Sequence, residues 1–270
     1  MIEYFKPWLL FWLAAIVAHG YMDYSFYRKW QGWAQGIRQP FPHKGKQRRI
    51  VKIWLAEVLL QRQLFGLSLF RWLVHLLIFW GFAGLALLSL TTFFLRPLDF
   101  LGIGWAHYFF SGKGYLFTKV WGDSFGLALL LGLVLAGIRR FILKPAQQGN
   151  KQMDIYLVAF LFWLTLSGFF LEGLRLSLSP GGMDSYSFIG RLFMPAGIFT
   201  VEQLKFMLVA TWSIHAFSAL ALLVYLPHSK MMHSILAPVV IALNASEESE
   251  REDLYWPDIG KYKAKKSRET

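Results

Sequence analysis

WLVHLLIFWGFAGLALLSLTTFFL, residues 72–95, runs for 24 positions without an Asp, Glu, Lys or Arg, and its one titratable side chain is His75. A helix of about 20 apolar residues crosses a hydrocarbon layer about 30 Å thick, so this stretch is long enough to span a bilayer. Four more apolar runs accompany it, at residues 8–24, 120–137, 155–171 and 206–226. The first is the most polar, with His19 and Asp23 near its end. Of the 270 residues 56% are hydrophobic and only 16% charged, against about 25% charged in an ordinary soluble domain. The expected fold is therefore all-α, a five-transmembrane-helix bundle.

The net charge of +12 raises the question of nucleic acid. The basic residues lie between the apolar runs rather than in a groove-reading motif, so they are read as topology signals and no nucleic-acid partner is expected. Residues 28–62, the RRFILK segment at 139–144 and the C-terminal tail are strongly basic, whereas 96–119 and 172–205 are mixed and rich in Gly and Pro. Lys and Arg favour the cytoplasmic side. That places the N-terminus outside and the C-terminus in the cytoplasm. The N-terminal segment lacks a basic region and a cleavage site and is read as the first span. Within 28–62, RIVKIWLAEVLLQRQLFG has apolar residues at helical spacing and is expected as an interfacial helix leading into the second span. Residues 1–243 form the expected membrane domain. Residues 244–270, acidic and then basic, form a polar cytoplasmic tail, either solvated or a docking strip.

The chain has no cysteine, so it cannot hold an iron–sulfur cluster through the usual thiolates. Titratable groups inside a span are costly and commonly functional. His75 and His215 fall within apolar runs, and His233 follows the last of them. Neutral imidazole is a common axial ligand of haem iron. His215 and His233 are 18 residues apart, five turns at 3.6 residues per turn, which would put them on one helix face. Pro227 is expected to kink or break that helix just before Ser229 and Lys230. A histidine bonded to a backbone carbonyl or hydroxyl within the bundle is the plain alternative for each.

The last apolar run ends in Pro227-His228-Ser229-Lys230-Met231-Met232-His233, a P-x-S-[KR]-x-x-H pattern, with Pro238 beyond it. With this ending, the five apolar runs and the basic first loop, nearly the whole chain resembles the respiratory nitrate reductase gamma subunit family of membrane cytochromes b. HLLIFWGF from His75 looks closer to the heterodisulfide reductase branch, which includes the sulfite-reductase-linked membrane cytochromes b.

The resemblance implies a haem b subunit of a respiratory-chain oxidoreductase. It would pass electrons between menaquinone or another membrane quinone and a cytoplasmic iron–sulfur, heterodisulfide reductase-like partner. Its setting would be the inner or plasma membrane of a prokaryote, as a multi-pass, lipid-embedded chain. It implies that His75 and His233 ligate the haem nearer the cytoplasm and that His215 is one ligand of an outer haem. The family's partner for His215 falls at Leu85, which cannot bind iron. Either the outer haem is lost or another group supplies its ligand, so at least one haem b is expected. Of the other histidines, His107 alone lies on the outer side with His215. Arg71 could neutralise a haem propionate or mark the span boundary.

Lys119 and Asp123, in FTKVWGDSFG, are the candidate quinone-binding residues, with Glu172 and Arg175 as rivals. An interfacial Lys also serves as a headgroup anchor, and an Asp as a helix cap. No residue is expected to catalyse the final substrate's reaction. The competing class is a haem-free membrane anchor or small transporter with proton-relay histidines.

Overall fold

The computed structural model describes residues 7–34, 47–143, 152–178, 186–195 and 197–247, and every regular element among them is helical. Nine α-helices follow in order among these residues. They are α1 (Pro7–Ala34), α2 (Gln47–Trp54), α3 (Arg62–Leu67), α4 (Leu69–Phe100), α5 (Gly104–Phe110), α6 (Gly112–Phe141), α7 (Gln152–Leu178), α8 (Val201–Tyr225) and α9 (Met232–Glu247). A π turn, Leu55–Leu59, follows α2, and 3₁₀ turns occupy Gly190–Phe193 and Leu226–His228. The basic stretch 35–46, with Arg38, His43, Lys44 and Lys46, lies outside the described residues, as does the tail beyond Glu247.

Among the described residues four helical stretches are long and apolar enough to cross a membrane: Leu69–Phe100, Gly112–Phe141, Ile155–Leu178 and Val201–His228. This is a multi-pass membrane protein. Each helix outruns its apolar run because polar residues continue the helix into the interface; α4, at 32 residues, rises about 48 Å. The first run lies on α1, a 28-residue helix that carries His19 near its middle and Asp23, Arg28 and Lys29 in its second half. Those charges separate it in composition from the other four.

The described residues pack as two compact units, one from Met1–Trp72 with Leu220–Thr270 and the other from Leu73–Ala219. In the first, α2 packs against α9, and α1 meets the 3₁₀ turn that ends α8. The single interfacial helix expected over residues 49–66 is instead broken. Gln61 adopts φ +50° and divides the π turn from α3, and Ser68, in extended backbone, divides α3 from α4. Two side chains take up backbone groups exposed by the break at Gln61. Trp72 Nε1 donates to the Leu60 carbonyl at 2.7 Å, and Glu57 accepts from the Gln63 N–H at 3.3 Å.

In the second unit small residues set the helix spacing, as is common in membrane bundles. A Cβ on Gly81 of α4 would stand 2.4 Å from the Leu129 backbone nitrogen of α6. One turn on, the Gly84 carbonyl accepts from Trp121 Nε1 of α6 at 2.9 Å. Gly81→Ala is therefore expected to destabilise the protein by about 1–3 kcal/mol, the usual cost of overpacking. Gly20 of α1 has nothing within 4 Å of its added Cβ, so Gly20→Ala should be neutral or stabilising by up to about 1 kcal/mol. Thermal unfolding in detergent checks both; equal shifts for the two variants would refute close α4–α6 contact.

Candidate functional site

Lys119 and Asp123 lie one turn apart on α6, both buried, at 7% and 4% exposure. A bare charge in such a place is costly, so the partners matter. Lys119 Nζ donates to Glu172 Oε1 of α7 at 3.2 Å and to Ser187 Oγ at 3.3 Å. Ser187 Oγ in turn donates to Glu172 Oε1 at 2.6 Å. Arg175 Nε donates to Glu172 Oε2 at 2.8 Å, and its Nη2 closes a second bond on Oε1. The Tyr115 ring lies under both cations, with its centroid 4.9 Å from Lys119 Nζ and 5.3 Å from Arg175 Cζ. Glu172 and Arg175, the sequence's rival pair, thus join Lys119 in one network.

Asp123 lies in the middle of α6 and caps neither of its ends. Its Oδ2 accepts the N–H groups of Ile189 at 2.6 Å and Gly190 at 3.3 Å. Those donors open the 3₁₀ turn Gly190–Phe193, which packs on α7. Asp123 therefore ties the segment before α8 to α6. Together the α6–α7 contacts make a polar, partly charged floor at one end of two apolar helices.

His215 sits on α8 within the same unit, and its Nδ1 lies 2.9 Å from Ser167 Oγ of α7. Ser167 is buried, at 5% exposure, and its hydroxyl donates to the Leu164 carbonyl at 2.9 Å. A serine has one proton to give. With that proton on the Leu164 carbonyl the imidazole is the donor, Nδ1–H to Ser167 Oγ; with the proton turned to His215 the roles reverse. Nε2 makes no hydrogen bond among the described residues. His75 is exposed on α4. His107 donates from Nδ1 to Asp99 at 2.8 Å, where Arg96 also binds at 2.9 Å, and so closes the α4–α5 turn.

In the first unit the Pro-x-Ser sequence builds the turn between α8 and α9. Pro227 and Ser229 are buried. Ser229 Oγ donates to the Leu226 carbonyl at 2.9 Å and accepts the Met231 N–H at 3.1 Å. Lys29 of α1 donates to the Pro227 carbonyl, capping the last turn of α8, and lies 3.4 Å from Met232 Sδ. Tyr21 and His228 Nε2 share a hydrogen bond at 3.1 Å. His233, on the first turn of α9, donates from Nδ1 to the Lys230 carbonyl. His215 and His233 therefore belong to separate helices. The continuous face drawn from their spacing does not form, because the chain breaks at Pro227 as its ring dictates.

Among the described residues no three His, Asp or Glu side chains converge as a metal-ion cage. Haem ligation asks for something else: a neutral imidazole whose Nδ1–H is held by an oxygen, which places the lone pair on Nε2 and raises its basicity. The donor chemistry of His215 and His233 fits that requirement. Ser167, Ser187 and Lys29 were not singled out from sequence. The Ser167-Gly168 pair, small and polar inside an apolar helix, is the one local signal that could have pointed to them.

Comparison with known proteins supplies the remaining observations. Residues 104–245 match the family described as nitrate reductase gamma subunit. The chain is 28% identical over 225 residues to a subunit of the dihydromethanophenazine:CoB–CoM heterodisulfide reductase of Methanosarcina barkeri, covering 83% of this chain and 76% of that one. It is 27% identical over 224 residues to the corresponding protein of Methanosarcina acetivorans, covering 83% and 75%. It is also 24% identical over 252 residues to EtfAB:quinone oxidoreductase of Syntrophomonas wolfei, covering 84% of this chain but 32% of that one. No solved structure matches the chain significantly.

Proposed function

Because the chain belongs to the nitrate reductase gamma subunit family, we propose that it is the haem b subunit of a membrane oxidoreductase complex, carrying electrons between a quinone-type carrier and an iron–sulfur partner in the cytoplasm. The observation that carries this reading is His215: an imidazole in a membrane-crossing helix whose Nδ1 is hydrogen-bonded to a buried hydroxyl at 2.9 Å. The names of its relatives join dihydromethanophenazine to a heterodisulfide reductase and a quinone to an oxidoreductase. Both names pair a redox carrier with an oxidoreductase.

His75 and His233 are the proposed ligands on the cytoplasmic side and His215 a ligand on the outer side. Haem b held there supplies one-electron steps across the hydrocarbon layer. The chain's own part is to hold the imidazoles in one tautomer, exclude water with apolar helices and supply charge near the carrier. Lys119 and Asp123 are the proposed polar side of the quinone site, where Lys119 would meet a carbonyl oxygen and a nearby carboxylate would take the proton released on oxidation. The α1 helix is the proposed fifth span, with the N-terminus outside in the plasma or inner membrane of a prokaryote. Arg139 and Arg140 at the end of α6 support that orientation. Residues 1–243 are the proposed membrane domain and the remaining tail its cytoplasmic extension, although α9 itself continues to Glu247. Cysteine is absent from the chain, which supports placing the clusters in a partner.

A reduced-minus-oxidised spectrum of the purified chain, with haem counted per polypeptide, tests the reading. One or two haems b per chain are expected. A colourless chain that cannot be reconstituted with haem would end it.

A further inference from the structure

We infer that Ser167 and Gly168 of α7 form the cradle that fixes the tautomer and ring plane of His215, so that Nε2 is the nitrogen presented for ligation. This rests on the reading of His215 as a haem ligand and adds to it a positioning pair on a helix that carries no ligand itself. The two residues act on adjacent atoms of the ring. Ser167 Oγ lies 2.9 Å from His215 Nδ1 and 2.9 Å from the Leu164 carbonyl, an acceptor within the helix that can take the hydroxyl proton and leave the oxygen to accept Nδ1–H. Gly168 leaves room beside the ring: a Cβ there would stand 3.3 Å from His215 Cε1 and 4.0 Å from Nδ1.

The chemistry follows from the proton count. Neutral imidazole carries one N–H, and an acceptor placed at one nitrogen selects that nitrogen as the donor. The Leu164 carbonyl gives the Ser167 proton a place to go, and the proposed cradle is the arrangement in which it goes there and Nδ1–H faces the freed lone pair. The i−3 carbonyl is held by the helix, so the hydroxyl direction is fixed by backbone rather than by solvent. Ser167 is thus a positioning residue: it acts through His215 and touches no reacting atom. An oxygen on Nδ1–H also makes Nε2 the stronger donor to ferric iron, which lowers the midpoint potential.

The experiment uses the full chain purified with its haem, as Ser167→Ala, Ser167→Thr, Gly168→Ala and His215→Ala. Haem per chain, redox midpoint and the low-spin EPR signal are read for each. Ser167→Ala is expected to weaken haem retention about 10- to 100-fold, the usual effect of losing such a partner. Haem that remains should show a raised midpoint and an altered EPR signal. Ser167→Thr keeps the hydroxyl and should restore parental values, and Gly168→Ala should disturb the EPR signal with Ser167 intact.

If His215→Ala loses haem while Ser167→Ala matches the parent in all three readouts, the cradle is overturned and the ligand reading stands. If Ser167→Thr is as damaged as Ser167→Ala, repacking alone explains the loss and the cradle is again overturned. If His215→Ala keeps full haem, both readings fall. Nitrogen-15 histidine spectra of the haem-free chain give an independent check that needs no variant to bind haem. His215 protonated at Nδ1 supports the cradle, and protonation at Nε2 overturns it.

Discussion

Alanine at His75 or at His233 is expected to remove one haem per chain, the largest change any single substitution here should produce. If His75 and His233 hold the haem between them, losing either would remove half of the chain's hold on it, and neither helix offers a second imidazole one turn away. His233 is the more informative of the two. It begins α9 directly after a turn locked by Ser229 and by Lys29 on the Pro227 carbonyl, so its removal should leave that turn intact. His228, five residues earlier in the same motif, is the internal control: its Nε2 is bonded to Tyr21, and His228→Ala should keep the full haem complement. The measurement is the pyridine haemochrome count per polypeptide with the reduced α-band. Full haem in both His75→Ala and His233→Ala would refute the proposed pair.

Glu172→Gln should produce the largest loss of stability, about 3 kcal/mol, the lower end of the range found when one partner of a buried ion pair is removed, because the Glu172 side chain keeps 23% exposure. Glu172 accepts from Lys119, Arg175 and Ser187 at once. Its neutralisation leaves two cations close together around one amide. The Lys119 side chain is only 4% exposed and has little access to solvent, whereas Arg175 is 32% exposed and can turn outward. Most of the penalty therefore falls on Lys119, and Lys119→Met combined with Glu172→Gln should recover part of it. The recovery, read as a double-mutant coupling, should lie within about 0.5–3 kcal/mol. Thermal unfolding of the four proteins in one detergent measures it; additive losses would show that the contact contributes nothing.

That network also shows why sequence alone treated its members as rivals. Lys119 and Asp123 stand together on α6, and Glu172 and Arg175 stand together on α7, so each pair looked like a local arrangement. A charge's partner in a membrane bundle is chosen by which helix lies alongside, and 53 residues separate Lys119 from Glu172. An Asp at that position likewise suggested a cap on its own helix. Its true donors, the N–H groups of Ile189 and Gly190, come from a short turn that has no periodicity to betray it.

Length and polarity were enough to reveal the membrane-crossing helices, because burying a backbone in hydrocarbon demands a long, uninterrupted apolar helix and nothing shorter satisfies it. The interruption at Pro227 was legible too, since a proline ring acts on its own chain. The break at Gln61 was not, because it depends on side chains from either side of it, Trp72 and Glu57, arriving to bond the exposed backbone. The imidazoles themselves stood out in the amino-acid order as titratable groups in apolar surroundings. Their tautomers did not. Which ring nitrogen holds the proton is decided by the oxygen lying next to it, and only the packing of α7 against α8 brings the Ser167 hydroxyl to His215.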